Sequence, residues 1–213
     1  MRLNTHTLLA LLVGFLGMES AMAIEEPKYE VHISQAPFEL RHYAPTLIAQ
    51  TIVEGDMDEA SNKGFRLIAD FIFGNNLAAN SEQAAKIAMT APVTVEPQSS
   101  KIAMTAPVTI EPQLGSAQQW RVHFVMPSQY TLETLPKPNN PQVTIKSIPS
   151  QKFAVLRFSG LVDEEKMAKR VAELKEWTGN KKLKTLGNPE LARYNPPWTL
   201  PFLRRNEVMV EIE

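Results

Sequence analysis

The sequence predicts an α+β fold in which two related halves, each containing a strand, a helix and a further strand, share one sheet system. Short segments alternate between apolar and polar residues at the period of a β-strand, and two longer segments carry apolar residues at helical spacing. The junction between strand and helix also recurs, since four residues of the first half are identical to residues 105 positions later. The identical pairs are Ala49 and Ala154, Gly55 and Gly160, Asp58 and Asp163, and Glu59 and Glu164.

Three strands and a helix are predicted for the first half. The strands cover residues 29–33, 38–43 and 47–54, and the third is rich in β-branched residues. Gly55 ends the third strand, and we expect Asp58 to cap the helix that follows. The apolar stripe of this helix, which should be buried, consists of Ala60, Gly64, Ile68, Phe71 and Ile72.

The second half repeats this pattern. Strands are predicted over residues 120–126, 153–159 and 206–212, with a short additional strand within 142–148. Asp163 is expected to cap the second helix. The apolar stripe of that helix consists of Met167, Val171 and Leu174.

A segment of the chain is duplicated. Residues 86–98 return as residues 101–113, and the single difference is Val95 against Ile110, which are both β-branched. Each copy alternates between apolar and polar residues, as a half-buried strand does. Because one tandem pair is too short for a solenoid, we expect the two copies to form a hairpin.

Two residue types in the repeat bear on its role. Pro92 and Pro107 lie on the polar face and cannot donate to a ladder, so each copy should be an edge strand or be broken at its proline. A more specific interpretation places Met89 and Met104, on the apolar face, in the wall of an apolar pocket. The repeat therefore offers candidate ligand contacts as well as sheet structure.

The N-terminus has the organisation of a secretory signal peptide. Arg2 precedes an apolar run over residues 8–16, which is short for a membrane span, and Ala21-Met22-Ala23 is a small-x-small cleavage site. An uncleaved membrane anchor is the alternative. We expect residues 1–23 to be a signal peptide and residues 24–213 to form one exported domain, in the periplasm or secreted.

Composition excludes several classes of function. With 22 basic and 23 acidic residues the net charge is −1, which is not the basic footprint of a nucleic-acid-binding protein. The chain has no Cys, which excludes disulfides, covalent c-type haem, Fe–S clusters and a cysteine nucleophile. The sequence also lacks G-x-S-x-G, H-E-x-x-H, P-loop and G-x-G-x-x-G motifs. We therefore expect a protein that is not an enzyme, with a hydrolase as the weaker alternative.

One histidine is a candidate ligand. His42 shares strand parity with Phe38 and Leu40, so it should point inward or to the rim of a pocket. A neutral imidazole binds iron well, which makes His42 a candidate axial haem ligand; the alternative is a hydrogen-bonded core or rim histidine. His32 and His123 fall on the polar parity of their strands, and we expect both to be solvated.

Residues 192–206 form an aromatic and proline-rich stretch that ends in paired arginines. Flat aromatic side chains and guanidinium groups suit a porphyrin, which is an apolar disc with two propionates. The alternative is a loop whose aromatic residues cover the core and whose arginines lie at the surface. The residues concerned are Arg193, Tyr194, Trp198, Phe202, Arg204 and Arg205.

Several motifs closely resemble those of the SOUL haem-binding family, over about residues 29–211. They are F-E-L-R-H-Y at 38–43, G-F-R-L-I-A-D-F-I-F-G at 64–74, K-I-A-M-T-A-P-V at 101–108, R-Y-N-P-P-W at 193–198 and R-R-N-E-V at 204–208. The resemblance implies a distorted antiparallel β-barrel of two pseudo-symmetric halves with two flanking helices. It also implies non-covalent binding of haem or other porphyrins, with no agreed catalytic activity.

The resemblance suggests two modes of binding. In one vertebrate branch the proposed axial ligand is the His of R-H-Y, which matches His42, whereas other members lack this His and are thought to hold the ring in an apolar groove beside a helix. We therefore expect a non-catalytic tetrapyrrole-binding protein that acts as a carrier, buffer or sensor. The alternative is a binding module for another amphipathic small molecule. The predicted binding set is His42, Phe38, Leu40, Met89, Met104, Tyr194, Trp198, Phe202, Arg204 and Arg205.

The signal-peptide assignment predicts a defined mature N-terminus. N-terminal sequencing of the protein from its native host should begin at Ile24, because the small-x-small site ends at Ala23. Protein that retains Met1 in a cytosolic fraction would contradict the assignment.

Overall fold

The computed structural model describes residues 25–78, 102, 104–113 and 119–213. The predicted signal peptide and the first copy of the repeat lie outside these residues. The elements are β1 (Tyr29–Gln35), β2 (Phe38–Tyr43), β3 (Thr46–Glu54), α1 (Met57–Ile72), β4 (Asn76–Leu77), β5 (Val108–Pro112), β6 (Gln119–Val125), β7 (Lys137–Pro138), β8 (Thr144–Ile148), β9 (Gln151–Phe158), α2 (Glu164–Asn180), β10 (Thr185–Arg193), a 3₁₀ turn (Pro201–Leu203) and β11 (Asn206–Ile212).

Nine strands form one antiparallel sheet in the order β1-β2-β9-β11-β10-β5-β6-β3-β8, and β4 and β7 form a separate pair. The two halves meet where β10 pairs with β5, with Leu191 opposite Ile110. Outward from this pair the order is β11, β9, β2 on one side and β6, β3, β8 on the other. The order is symmetric about this pair, but β2 and β8 are exchanged between the two predicted halves. The α+β class is confirmed. Closure into a barrel stays a prediction, because the strand order found in the described part of the chain is linear.

The two helices cover one face of the sheet. All five residues of the predicted α1 stripe are buried, as are Met167 and Leu174 of α2. Gly64 of α1 lies against Val122 of β6, so the helix and the sheet approach closely. Neither described helix is long and apolar enough to cross a membrane.

The two strand–helix junctions differ in length, which corrects one prediction. Asp56, and not Asp58, caps α1, because its side chain accepts a hydrogen bond from the Glu59 amide at 2.8 Å. The predicted cap Asp163 is confirmed, since its carboxylate accepts from the Lys166 amide at 2.8 Å. The predicted cap of α1 was two residues too late. Asp58 matches Asp163 in the sequence comparison of the two halves but not in the structure, because the loop before α2 is longer than the loop before α1.

The centre of the sheet differs from its prediction in two ways. Strand β10 was not predicted, because Gly187, at φ 60°, and Pro189 interrupt its alternation and its register shifts between Leu186 and Glu190. The second copy of the repeat is broken at Pro107, as expected, and β5 begins at the next residue. It is an interior strand between β10 and β6, however, and not an edge strand. The predicted hairpin of the two copies involves residues that are not described.

Two glycines predict opposite effects of the same substitution. The Cβ of Gly64→Ala would lie 2.6 Å from Val122 Cβ and Cγ2, so the helix must move and unfolding should become easier by about 1–3 kcal/mol. Gly179→Ala in α2 meets no atom within 4 Å, and Ala's helix propensity should stabilise by up to about 1 kcal/mol. Urea denaturation of both variants measures the difference. Equal stabilities would contradict the close packing of α1 on β6.

Candidate ligand-binding cavity

A cavity of about 420 Å³ lies on the face of the sheet opposite to the helices. Along β6 the side chains of Val122 and Phe124 face the core beneath the helices, whereas Arg121, His123 and Val125 line the cavity. No residue of α1 or α2 contributes to its walls. Its volume falls within the roughly 300–1,000 Å³ range of small-molecule sites. The aromatic and sulfur-containing side chains of its lining are Tyr43, Phe153, Tyr194 and Met209.

His123 is buried in the cavity wall, and the prediction that it is solvated was wrong. The prediction placed His123 on the correct face of β6, but this polar face borders the cavity and not bulk water. Burial, followed by the charge of Arg121, lowers the pKa of His123 to about 3, so the ring is neutral at physiological pH. Nδ1 has no hydrogen-bond partner among the described residues. The cavity wall therefore contains a neutral imidazole, and its Nδ1 is itself buried.

The cavity lining also contains carboxyl groups with different surroundings. Glu111 pairs with Arg121 at 2.7 Å, and both line the cavity. Burial, and then the neighbouring charge of Glu111, raise the pKa of Glu190 to about 8, so Glu190 is protonated at neutral pH. Glu211 is a third acidic residue in the lining. Three acidic residues thus face one guanidinium.

The cavity residues follow the symmetry of the two halves. Ile110 of β5 pairs with Val122 of β6, and the next rung pairs Thr109 with His123. In the second half Leu191 pairs with Val208, and the corresponding rung pairs Glu190 with Met209. The symmetry therefore relates His123 to Met209 and Thr109 to Glu190. The two halves place different chemistry at equivalent positions.

One wall is fixed by a buried ion pair between β2 and β11. Arg41 Nη1 donates to Glu207 Oε2 at 2.7 Å and Nη2 donates to Oε1 at 3.0 Å, with the side chains only 1% and 0% exposed. Tyr194 Oη and Arg205 Nε also donate to this carboxylate, at 2.7 and 2.9 Å. Burial alone would raise the pKa of Glu207, but hydrogen bonds from Arg41 lower it overall. The carboxylate is therefore ionised and fully occupied.

The predicted arginine ligands make contacts within the protein. Arg205 also pairs with Glu26 at 2.9 Å and lies over the Tyr194 ring, 3.7 Å from its centroid. Arg204 donates to the carbonyl oxygens of Thr199, at 2.8 Å, and Pro197. Both guanidinium groups thus hold the chain segment that carries them.

The predicted binding set is not brought together at the cavity. Tyr194 lines it, but Trp198 and Phe202 are 82% and 71% exposed and do not. Phe38 and Leu40 pack against the core beneath the helices, where Phe38 stacks on Trp177 with ring centroids 5.1 Å apart. Two methionines complete the set: Met104 also packs against that core, and Met89 lies outside the described residues.

His42 lies on the opposite face of β2 from the cavity-lining Tyr43, and it does not line the cavity. Its Nε2 is 2.5 Å from Ser150 Oγ, and its ring centroid is 5.8 Å from that of His32. These contacts agree with the alternative prediction for His42, which was a hydrogen-bonded core or rim histidine. An axial-ligand role for His42 stays a prediction, and it would require a haem outside this cavity.

The family model described as SOUL heme-binding protein matches residues 24–101 and 96–211, which together cover nearly the whole chain. The chain therefore belongs to the SOUL haem-binding family. Each match contains one full copy of the repeat, so the duplicated segment spans the boundary between the two matches.

Solved structures share the fold at low sequence identity. The EcmrR C-terminal domain has a TM-score of 0.54 and 10% identity, with 87% of this chain and 98% of that chain covered. A hydrolase from Listeria innocua has a TM-score of 0.53 and 11% identity, with 85% and 94% covered. At these identities the likeness shows the fold alone. No curated protein sequence matches the chain.

The protonated Glu190 predicts a stability effect that depends on pH. Because its pKa is raised from 4.5 to about 8 on folding, its contribution to stability is full below pH 4.5 and is lost as pH rises to about 8. Glu190→Gln mimics the protonated form, so its free energy of unfolding should exceed that of the wild type by on the order of 1–2 kcal/mol at pH 8 and by much less at pH 5.

Urea denaturation at both pH values measures this effect. The control is Glu176→Gln, which changes an exposed residue of α2 and should show no such trend. An equal difference between Glu190→Gln and wild type at pH 5 and pH 8 would contradict a raised pKa.

Proposed function

We propose that the protein binds haem or another tetrapyrrole non-covalently in this cavity, as a carrier, buffer or sensor and not as an enzyme. The observation that carries the proposal is the cavity itself, whose lining combines three aromatic side chains with the neutral ring of His123. Membership of the SOUL family supports the class of ligand. We further propose that the protein is exported, to the periplasm or outside the cell.

The donor set of the cavity fits a tetrapyrrole. Tyr43, Phe153 and Tyr194 would contact the ring, and His123 would offer an imidazole nitrogen to the iron that a haem supplies. Met209, at the position equivalent to His123, carries a thioether, which is the other common neutral iron ligand. Burying a few hundred Å² of apolar ring surface would contribute several kcal/mol at roughly 25 cal/mol per Å² before association costs.

The acidic lining favours a second candidate, which is an amphipathic cation. Glu111, Glu190 and Glu211 outnumber Arg121, and a bound positive charge would stabilise the ionised form of Glu190. This ligand would use the same aromatic walls without needing the imidazole. The two candidates therefore differ in their dependence on His123.

A haemin titration with two matched variants tests the proposal. Wild-type protein should shift the Soret band, and His123→Gln should change the position of the band in the complex, because it removes the imidazole inside the cavity. His42→Gln should leave the band unchanged, since His42 does not line the cavity. Affinity should fall only modestly in His123→Gln, because apolar contacts supply most of it.

Each other result has a defined meaning. A band altered by His42→Gln and unchanged by His123→Gln would move the ligand role to His42 and contradict the cavity as the haem site. The absence of any Soret shift with wild-type protein at micromolar haemin would overturn tetrapyrrole binding. Fluorescence titration with rhodamine 6G, an amphipathic cation, would then test the second candidate, and Glu190→Gln should weaken that binding.

A further inference from the structure

We propose that Glu30, His32 and His42 form a binding site for a divalent transition-metal ion at the outer edge of the sheet, separate from the cavity. One ligand atom from each side chain lies within 4.8 Å of the other two. Two imidazoles and one carboxylate are a ligand set that Zn²⁺, Cu²⁺ and similar ions use in proteins. The proposal does not depend on tetrapyrrole binding.

The backbone places the three side chains on one face. β1 and β2 are antiparallel neighbours, and Glu30 lies directly opposite His42. The register shifts between Val31 and Ile33, which makes His32 the extra residue of a β-bulge, so simple alternation does not decide its face. The ring centroid of His32 lies 5.8 Å from that of His42, which places His32 on the side of the other two residues.

A hydrogen bond orients the His42 ring. Ser150 Oγ lies 3.0 Å from the Tyr43 carbonyl oxygen, to which it can donate, and 2.5 Å from His42 Nε2. With the hydroxyl proton on the carbonyl oxygen, Nε2 would donate to Ser150 Oγ, and Nδ1 would carry the lone pair for a metal ion. Histidine ligands of metals are oriented in this way, by donating their other ring N–H to a neighbouring oxygen.

Access and charge are compatible with an ion. Glu30 and His32 are exposed and His42 is half-buried, so an ion can enter from solvent and keep water ligands. Metal–ligand distances of about 2.0–2.2 Å require the ligand atoms to close in slightly, which exposed side chains can do by rotation. The nearest register neighbour of His42 on β9 is Lys152, whose ammonium donates to the Glu213 carbonyl oxygen at 3.2 Å.

Metal titrations of the full, untagged protein test the site, since a polyhistidine tag would bind the same ions. Zn²⁺ affinity is measured by competition with a chromogenic chelator, and Cu²⁺ coordination by electron paramagnetic resonance. Wild type should bind one equivalent, and His32→Ala and Glu30→Gln should each weaken binding at least about tenfold. The matched control Glu176→Gln should leave the affinity unchanged. Nitrogen hyperfine splitting should report two imidazoles in wild type and one in His32→Ala.

Two results would overturn the proposal: no binding of Zn²⁺ or Cu²⁺ in the micromolar range, or an affinity unchanged in His32→Ala. Because His32 is exposed, its replacement should not prevent folding, and circular dichroism of the variant is the check. The haemin spectrum of His32→Ala should equal that of wild type. Failure of the metal site and failure of tetrapyrrole binding are therefore separate outcomes.

Discussion

The face of the sheet opposite to the helices depends on one constraint, which is the buried ion pair between Arg41 and Glu207. Both charged groups are removed from water, and they connect β2 to β11 across β9. Removing one partner of such a pair typically costs about 3–5 kcal/mol, because the other charge is left buried and uncompensated. Glu207 avoids this penalty by accepting hydrogen bonds from Arg41, Tyr194 and Arg205 together. The buried carboxylate beside the cavity is therefore fully hydrogen-bonded.

This network gives a structural meaning to three of the family motifs. It joins three motifs in all, since Arg41 and Tyr43 belong to F-E-L-R-H-Y, whereas Tyr194, Arg205 and Glu207 come from two motifs near the C-terminus. Arg41, Tyr194 and Arg205 donate to the Glu207 carboxylate, and Arg41 also donates to Tyr43 Oη. Guanidinium groups near aromatic rings suggested porphyrin recognition in the sequence. In the fold the same chemistry is used internally, and the two tyrosines are the members of the network that also line the cavity.

Periodicity predicted most of the elements but not the site. The α1 stripe and β11 were predicted correctly because one side of each faces a single apolar core, which gives an unbroken pattern. β10 was missed because Gly187 and Pro189 break that pattern at a register shift. His123 was assigned the correct face and the wrong environment, since a polar face against water and a polar face around a cavity have the same period. Only tertiary structure distinguishes them.

The symmetry of the fold explains why the cavity lies where it does. The β5–β10 pair joins the halves, and the cavity extends on both sides of this junction, so each half supplies equivalent positions. Identical halves would offer identical groups, but here Thr109 is equivalent by symmetry to Glu190, and His123 to Met209. The alternation of side chains along β2 also separates two groups of residues. Arg41 and Tyr43 lie on one face, in the hydrogen-bond network, and His42 lies on the other face near Glu30 and His32. One pleated strand thus contributes to two chemically different surfaces.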